Sequence, residues 1–281
     1  MDPMQFFLAT FATSVGAGVL GSLLGLGGGI IVIPALTLLF GVDIRYAIGA
    51  SIVSVIATSS GATVSHLKHS IANLRAGMLL EMATTTGAVI GAILGAFITG
   101  SALYLIFAVM LGYSAIAMFH RRHADLTPNL ANDRWSERLK LAGQFLDQAN
   151  GRVVQYGVVG IPAALGLMWI AGVVSGLLGV GSGTLKVPAM DLAMRLPMKV
   201  STATSNFMIG VTAAAGAAVH FAHGDIVPLV AAPVALGVLV GAVSGARLLG
   251  KVQSHSVRLL FVLVLAVISV QMAARGLGLT A

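Results

Sequence analysis

Long apolar stretches separated by short polar loops make up most of this chain. A helix that crosses a membrane needs about 20 mostly apolar residues. The pattern therefore predicts spanning helices over 46–66, 77–99, 102–119, 200–221, 227–246 and 258–274. Two further apolar regions, 5–40 and 153–196, are longer, and a glycine-rich segment interrupts each of them.

A polar stretch, 120–152, separates the chain into two apolar halves. Apolar residues recur in it at helical spacing and basic residues occupy the other faces: Trp135, Leu139, Ala142 and Leu146 against Arg134, Arg138 and Lys140. This spacing is typical of a short amphipathic helix, which either lies on the membrane surface or is a solvated linker. We therefore divide the chain into an N-terminal transmembrane repeat (1–119), a linker (120–152) and a C-terminal transmembrane repeat (153–281).

The two halves share a sequence pattern. The segment LLGLGGGIIVIPA at 23–35 is similar to LLGVGSGTLKVPA at 177–189, and a shift of 154 positions superposes them without a gap. The same shift matches Gly25/Gly179, Gly27/Gly181, Gly29/Gly183, Pro34/Pro188, Ser51/Ser205, Thr58/Thr212, His66/His220 and His69/His223. Apolar residues match often by chance, but glycine, proline, serine and histidine do not. We interpret the halves as an internal duplication.

The composition strengthens the membrane assignment. The chain of 281 residues is 57% hydrophobic and 9% charged, whereas a soluble domain has about 25% charged residues. The absence of cysteine excludes disulfides, thiolate catalysis and cysteine-based metal sites. The net charge of +7 does not indicate nucleic-acid binding, because the basic residues lie in short loops where they act as topology signals. The N-terminus lacks the basic region of a cleaved signal peptide.

The basic loops also predict how the halves are oriented. The arginine-rich stretch 120–152 is expected in the cytoplasm. Counting spans away from it makes 5–40 a hairpin entered from outside and 153–196 a hairpin entered from inside. The predicted fold is an all-α polytopic membrane protein with two inverted-topology repeats, each a glycine-broken hairpin plus three transmembrane helices. Many secondary transporters have this architecture.

The glycine segments suggest a site. Irregular backbone at membrane depth requires surrounding protein or a water-filled cavity. We expect a short helix to begin after each segment, near Ile30 and Thr184. The first turn of a helix carries free N–H groups and partial positive charge, which favour anions. The expected anion-binding residues are Gly27, Gly28, Gly29, Gly181, Ser182 and Gly183.

Lys186 is a charged residue within the second apolar hairpin. It lies nine residues before Arg195, or about 13 Å along a helix, which is too far for its side chain to reach the inner face. It either faces a cavity and attracts the substrate or pairs with Asp191 or a backbone carbonyl.

Polar residues on the next span of each half have two alternative roles. Ser51 and its repeat partner Ser205 are accompanied by Thr204 and Asn206. Their side chains either hydrogen-bond the oxygens of an anion or hold helices together, as such residues often do in membranes.

Three titratable residues are candidates for proton coupling. His66 and His220 lie at the ends of their spans, where interfacial anchoring is the alternative role. Glu81 lies near the inner end of its span and close to Arg75. It is expected either to snorkel towards the interface or to carry a coupling proton.

Enzyme motifs are not found in the glycine segments. GLGGGI and GVGSGT lack the last glycine of G-x-G-x-x-G, and the chain has no phosphate-binding loop and no H-E-x-x-H. GVGSG differs from the nucleophile elbow because Val180 occupies the position of the first glycine. The sequence therefore predicts no enzymatic activity, no cofactor and no metal site.

The paired motifs resemble those of the TauE/SafE sulfite exporter family. GLLGLGGGIIVIPAL with AIGASI, and GLLGVGSGTLKVPAM with STATSNF, carry the resemblance, which covers 14–275. It implies a carrier of small sulfur-containing anions such as sulfite or sulfoacetate. It also places Gly27, Gly28, Gly29, Pro34, Ala47, Ser51, Gly181, Gly183, Pro188, Ala203, Thr204 and Ser205 on the family motifs. Ser182 departs from the usual glycine and bears on the choice of substrate.

These observations favour a secondary anion transporter that works by alternating access, with export implied by the resemblance. An anion channel and a non-transporting membrane scaffold or assembly protein are the alternatives. The expected partners are a small anion and the lipid bilayer, without nucleic acid, and a homo-oligomer is compatible with the sequence. The expected location is a bacterial-type inner membrane.

Overall fold

The computed structural model of the chain describes residues 2–24, 27–68, 71–120, 132–147, 151–181, 183–249 and 254–279. The described chain is mostly helical. The first half contains α1 (Pro3–Leu24), α2 (Gly29–Pro34, continued by a π-helical turn Ala35–Leu39), α3 (Ile44–Lys68), α4 (Leu74–Gly95) and α5 (Gly100–His120). The linker contains α6 (Arg134–Leu139) and β1 (Gly143–Asp147), and β2 (Arg152–Tyr156) begins at its last residue. The second half contains α7 (Ile161–Leu178), α8 (Gly183–Ala193), α9 (Met198–Ala222), α10 (Pro228–Leu249) and α11 (Ser254–Gly276).

Six helices among the described residues are long and apolar enough to cross a membrane, namely α1, α3, α4, α7, α9 and α10. The helices α5 and α11 cover the predicted spans 102–119 and 258–274. Their described apolar parts, Gly100–Ile116 and Val262–Gly276, are shorter than a full span.

The helices of the two halves correspond in bounds and in packing. A shift of 154 positions carries both ends of α3 onto those of α9, and both ends of α4 onto those of α10. The starts of α2 and α8 coincide in the same way. Across the halves, α1 packs against α10, α7 against α4, and α3 against α9. The first helix of each half thus packs on the fourth helix of the other half.

Glycines make these crossings close. A Cβ atom on Gly91 of α4 would overlap the carbonyl of Val173 on α7, and one on Gly176 of α7 would overlap the carbonyl of Ala88 on α4. A Cβ atom on Gly241 of α10, the repeat partner of Gly87, would overlap the backbone of α1 in the same way. Small residues let membrane helices approach to backbone contact, so these glycines fix the distance between the helices.

The linker differs from the amphipathic helix that the spacing predicts. The helix α6 ends at Leu139, because Lys140 adopts a left-handed conformation with φ of 51°. The chain then forms an antiparallel hairpin in which Phe145 pairs with Val154. Phe145 lies in the core, whereas Trp135 is 57% exposed. The all-α expectation is therefore wrong in this segment, and Ala142 and Leu146 do not continue the helix.

Side-chain hydrogen bonds attach the linker to both halves. Asn73, the N-cap of α4, donates from Nδ2 to the carbonyl of Leu141 at 2.7 Å and to the hydroxyl of Tyr156 at 3.2 Å. Asp133 accepts the N–H of Gly160 at the start of α7 at 2.9 Å. The buried linker residues belong to the same apolar core as parts of α4, α7, α8 and α9. The linker is therefore packed on the helices that surround Lys186.

Candidate functional site

The two glycine turns meet where α3 crosses α9. Gly27 and Gly181 have left-handed backbones, with φ of 64° and 73°, which glycine adopts without strain. A Cβ atom on Gly27 would lie 2.8 Å from Ile209, and one on Gly181 would lie 2.7 Å from Val55. Val55 and Ile209 are themselves separated by the repeat shift. The turns therefore lie against equivalent positions of the opposite halves.

The helices after the turns begin close to the predicted residues. They start at Gly29 and Gly183, one residue before Ile30 and Thr184. The N–H of Gly28 donates to the hydroxyl of Thr58 at 3.3 Å. A Cβ atom on Gly29 would overlap the Ser51 hydroxyl and lie 3.3 Å from the Cα atom of Val180. Ser182 lies outside the described residues.

Ser51 links the two halves. Its hydroxyl donates to the carbonyl of Gly179, in the opposite turn, at 2.8 Å. Both residues are buried, and Ser51 has no exposed surface. In this conformation Ser51 thus takes the second of its predicted roles, a hydrogen bond between parts of the protein.

Residues 204–206 also contact neighbouring helices. The hydroxyl of Thr204 accepts the N–H of Asn73 at 2.9 Å. Asn206 donates from Nδ2 to the carbonyl of Ser22 on α1 at 2.9 Å. The backbone carbonyl of Asn206 accepts a hydrogen bond from the hydroxyl of Ser59 at 2.5 Å. Ser205 is fully buried between these contacts. These residues connect α9 to α1, α3 and α4.

Lys186 forms a buried cluster with two other helices. Its side chain is 0% exposed, and its Nζ atom donates to the hydroxyl of Thr212 on α9 at 2.5 Å. Thr212 donates in turn to Oε1 of Glu81 on α4 at 2.5 Å. The distance from Nζ to Oε2 of Glu81 is 3.6 Å. The hydroxyl of Thr85 donates to Oε1 as well, at 3.0 Å.

This cluster corrects the prediction for Glu81. The carboxylate does not snorkel towards the interface, because Glu81 is 7% exposed and faces Lys186. Arg75, the neighbour expected from the sequence, donates instead to the carbonyl of Lys140 at 3.1 Å. A buried charge is stable only with a partner, and this ion pair neutralises both residues. Two isolated charges of opposite sign in apolar spans were the signal that could have predicted the pair.

His220 is buried at the end of α9. Its Nδ1 atom lies 2.9 Å from Oδ2 of Asp225, and its Nε2 atom lies 3.0 Å from the carbonyl of Gly176 on α7. The ring therefore connects α9 to α7 and to the following loop. The side chain of His66 lies outside the described residues. Among the residues that the structure describes, no three His, Asp or Glu side chains are grouped as metal ligands.

The sequence has clear relatives. The model of the sulfite exporter TauE/SafE family matches residues 10–272. The chain is 29% identical to the probable membrane transporter protein YunE of Bacillus subtilis over 93% of this chain and 95% of that protein. It is 26% identical to the probable membrane transporter protein YdhB of the same organism, over 82% of this chain and 85% of that protein.

A third relative is longer. The probable membrane transporter protein MamO of Paramagnetospirillum magneticum is 27% identical over 92% of this chain and 43% of that protein. No solved structure gives a significant match. The family match covers nearly the whole chain and agrees with the apolar helices that the structure contains. The chain belongs to the sulfite exporter TauE/SafE family and is an integral membrane protein that crosses the bilayer several times.

Proposed function

We propose that this protein is a secondary transporter of small sulfur-containing anions, such as sulfite or organosulfonates including sulfoacetate. Family membership and the names of the relatives support a membrane transporter rather than an enzyme. The observation that carries the anion assignment is Lys186, a fully buried cation one helical turn after the glycine turn at Gly181. A sulfonate group has three acceptor oxygens, which suit an ammonium and converging N–H donors.

The proposed site lies between the two glycine turns and Lys186. Its donors are the backbone N–H groups at the starts of α2 and α8, formed by Gly27, Gly28 and Gly29 in one half and by Gly181, Ser182 and Gly183 in the other. Ser51, Thr204, Ser205 and Asn206 surround these turns and become available to the anion when helices separate. In the described conformation, the side chains of Ser51, Thr204 and Asn206 hydrogen-bond to protein groups, and the N–H of Gly28 donates to Thr58. The site therefore opens only when these contacts break.

The proposed mechanism is alternating access between two inverted repeats in a bacterial-type inner membrane, with export as the physiological direction. Its support is the correspondence of α3 with α9 and of α4 with α10, together with the reciprocal packing of α1 on α10 and α7 on α4. Such repeats can rock against each other around a fixed site. On this proposal the linker at 120–152 lies in the cytoplasm.

Counterflow in proteoliposomes tests the proposal. Vesicles are loaded with unlabelled sulfite or sulfoacetate and receive a trace of labelled anion outside. A carrier accumulates label transiently, whereas an anion channel does not exchange one ion for another. We expect accumulation by the native protein and at least a tenfold loss in Lys186→Ala. The exposed variant Arg138→Ala is the control and should transport normally. Absence of counterflow with both anions would refute the proposal and leave the channel and the scaffold as the alternatives.

A further inference from the structure

The charges around Lys186 are balanced without a substrate. Oε1 of Glu81 accepts hydrogen bonds from Thr212 and Thr85, and Oε2 faces the Lys186 ammonium at 3.6 Å. Oε2 accepts no hydrogen bond from the described residues. One buried cation therefore neutralises one buried carboxylate, and the Lys186 ammonium is the positive charge that stabilises the Glu81 carboxylate.

A substrate anion competes with Glu81 for this ammonium. If a sulfonate takes Lys186, the Glu81 carboxylate is left buried and without a cation. An uncompensated carboxylate in a low-dielectric site is strongly unfavourable, and it becomes neutral by binding a proton. We propose that anion binding at Lys186 is coupled to the uptake of one proton by Glu81. This inference rests on the proposed anion transport and adds the coupling ion.

The exchange keeps the charge of the site constant. Before binding, the cluster contains an ammonium and a carboxylate; after binding, it contains the ammonium, the sulfonate group and a neutral carboxylic acid. The proton comes from water on the side from which the anion enters. Thr212 can serve both states, because a hydroxyl both donates and accepts. Each sulfonate group thus crosses with one proton and without net charge in the site.

Few other charged residues face Glu81 from the helices packed on α4. The helix α7 has no titratable residue, and Arg75 of α4 itself donates to Lys140. Asp191 of α8 lies five residues from Lys186, about 7.5 Å along the helix. On α9, His220 and Lys199 lie eight and thirteen residues from Thr212, about 12 and 20 Å away. Lys186 is therefore the charge that decides the protonation of Glu81.

The pair joins one residue of each half and has no counterpart under the repeat shift. The repeat partner of Lys186 is Val32, and the repeat partner of Glu81 is Ala235. Thr58, the partner of Thr212, accepts a backbone N–H from Gly28 instead. The duplicated framework thus holds a single exchangeable ion pair. The expected stoichiometry is one proton for each sulfonate.

The test measures the net uptake of anion and of protons in the same proteoliposomes, which contain no anion at the start. Labelled sulfoacetate reports the anion, and a pH-sensitive dye inside the vesicles reports protons. We expect about one proton per anion in the native protein, and an apparent affinity that falls about tenfold for each pH unit above neutrality. Lys186→Arg keeps its charge when buried and should remain coupled. Adding Glu81→Gln to Lys186→Arg should abolish the proton movement and give an anion affinity that no longer depends on pH. The exposed Glu137→Gln should behave as the native protein does.

The outcomes separate this inference from the proposed function. Net uptake of sulfoacetate by the native protein without proton uptake would overturn the coupling and leave the transporter intact. Proton movement in the Lys186→Arg, Glu81→Gln double variant would also overturn it. If the native protein shows no counterflow, the transport proposal fails and the coupling fails with it. If this double variant does not elute as a monodisperse protein, the stoichiometry and the pH dependence of the native protein decide.

Discussion

Removing one member of the Lys186–Glu81 pair should destabilise the fold far more than removing both. At 3.6 Å and an effective dielectric constant of about 20, Coulomb's law gives an attraction of about 4.6 kcal/mol. Removing one member of a buried pair costs about 3–5 kcal/mol of stability, because it leaves an uncompensated charge. Replacing both members by uncharged residues often leaves the stability nearly unchanged. We therefore expect Lys186→Met to lower the free energy of unfolding by about 3–5 kcal/mol.

A double-mutant cycle checks this magnitude. The assay is unfolding in mixed micelles of increasing denaturing detergent, followed by helical circular dichroism, for Lys186→Met, Glu81→Gln and the double variant. The double variant should recover to within about 1 kcal/mol of the native protein. The exposed substitutions Arg138→Met and Glu137→Gln serve as matched controls. Two results would refute the expected coupling: a loss of less than about 1 kcal/mol of unfolding free energy in Lys186→Met, or a loss in the double variant equal to the sum of the two single losses.

Other contacts give further predictions. Gly176→Ala should destabilise the α4–α7 crossing by about 2 kcal/mol or more, whereas Gly166→Ala on the same helix, with no atom within 4 Å of the added Cβ, should be neutral in the same detergent unfolding assay. Asn73→Ala should cost about 1–2 kcal/mol and increase hydrogen exchange in 143–156. Burial raises the pKa of Tyr156. The stability that its neutral, buried hydroxyl gives the hairpin is therefore present at neutral pH and is lost as the pH rises above about 10. Hydrogen exchange of the hairpin should increase above about pH 10, and Tyr156→Phe should reduce that increase.

The transmembrane helices were predictable because apolar runs of this length have few alternatives. Both ends of α3 lie within two residues of the predicted span 46–66, and the repeat placed the starts of α2 and α8 within one residue. The linker was not predictable in the same way. Four apolar residues over twelve positions fit a helix by chance, while the hairpin depends on the burial of Phe145 and Tyr156 against the helices. Such tertiary contacts override local periodicity in short segments.

The chemistry of the site was only partly predictable. Lys186 stands out because a lysine is costly in an apolar segment, but its partner lies on a helix of the other half. Hydrophobic periodicity gives the face of each helix and not which faces meet, so Glu81 was associated with the nearby Arg75. The bond from Ser51 to Gly179 was hidden for the same reason. The repeat paired Ser51 with Ser205, whereas the structure joins Ser51 to the opposite turn.

The duplicated helices and the Lys186–Glu81 pair are independent features of this molecule. The glycine turns and the close crossings occur in both halves, and together with the α3–α9 contact between the halves they surround the proposed site. Lys186 and Glu81 each occur once, because their repeat partners are Val32 and Ala235. Shape and charge are therefore determined by separate residues. On the proposed mechanism, replacing Lys186 and Glu81 together should change the anion or the coupling ion while the helices remain as they are, because no buried charge is left without a partner. A substitution at a crossing glycine should affect the fold before it affects selectivity.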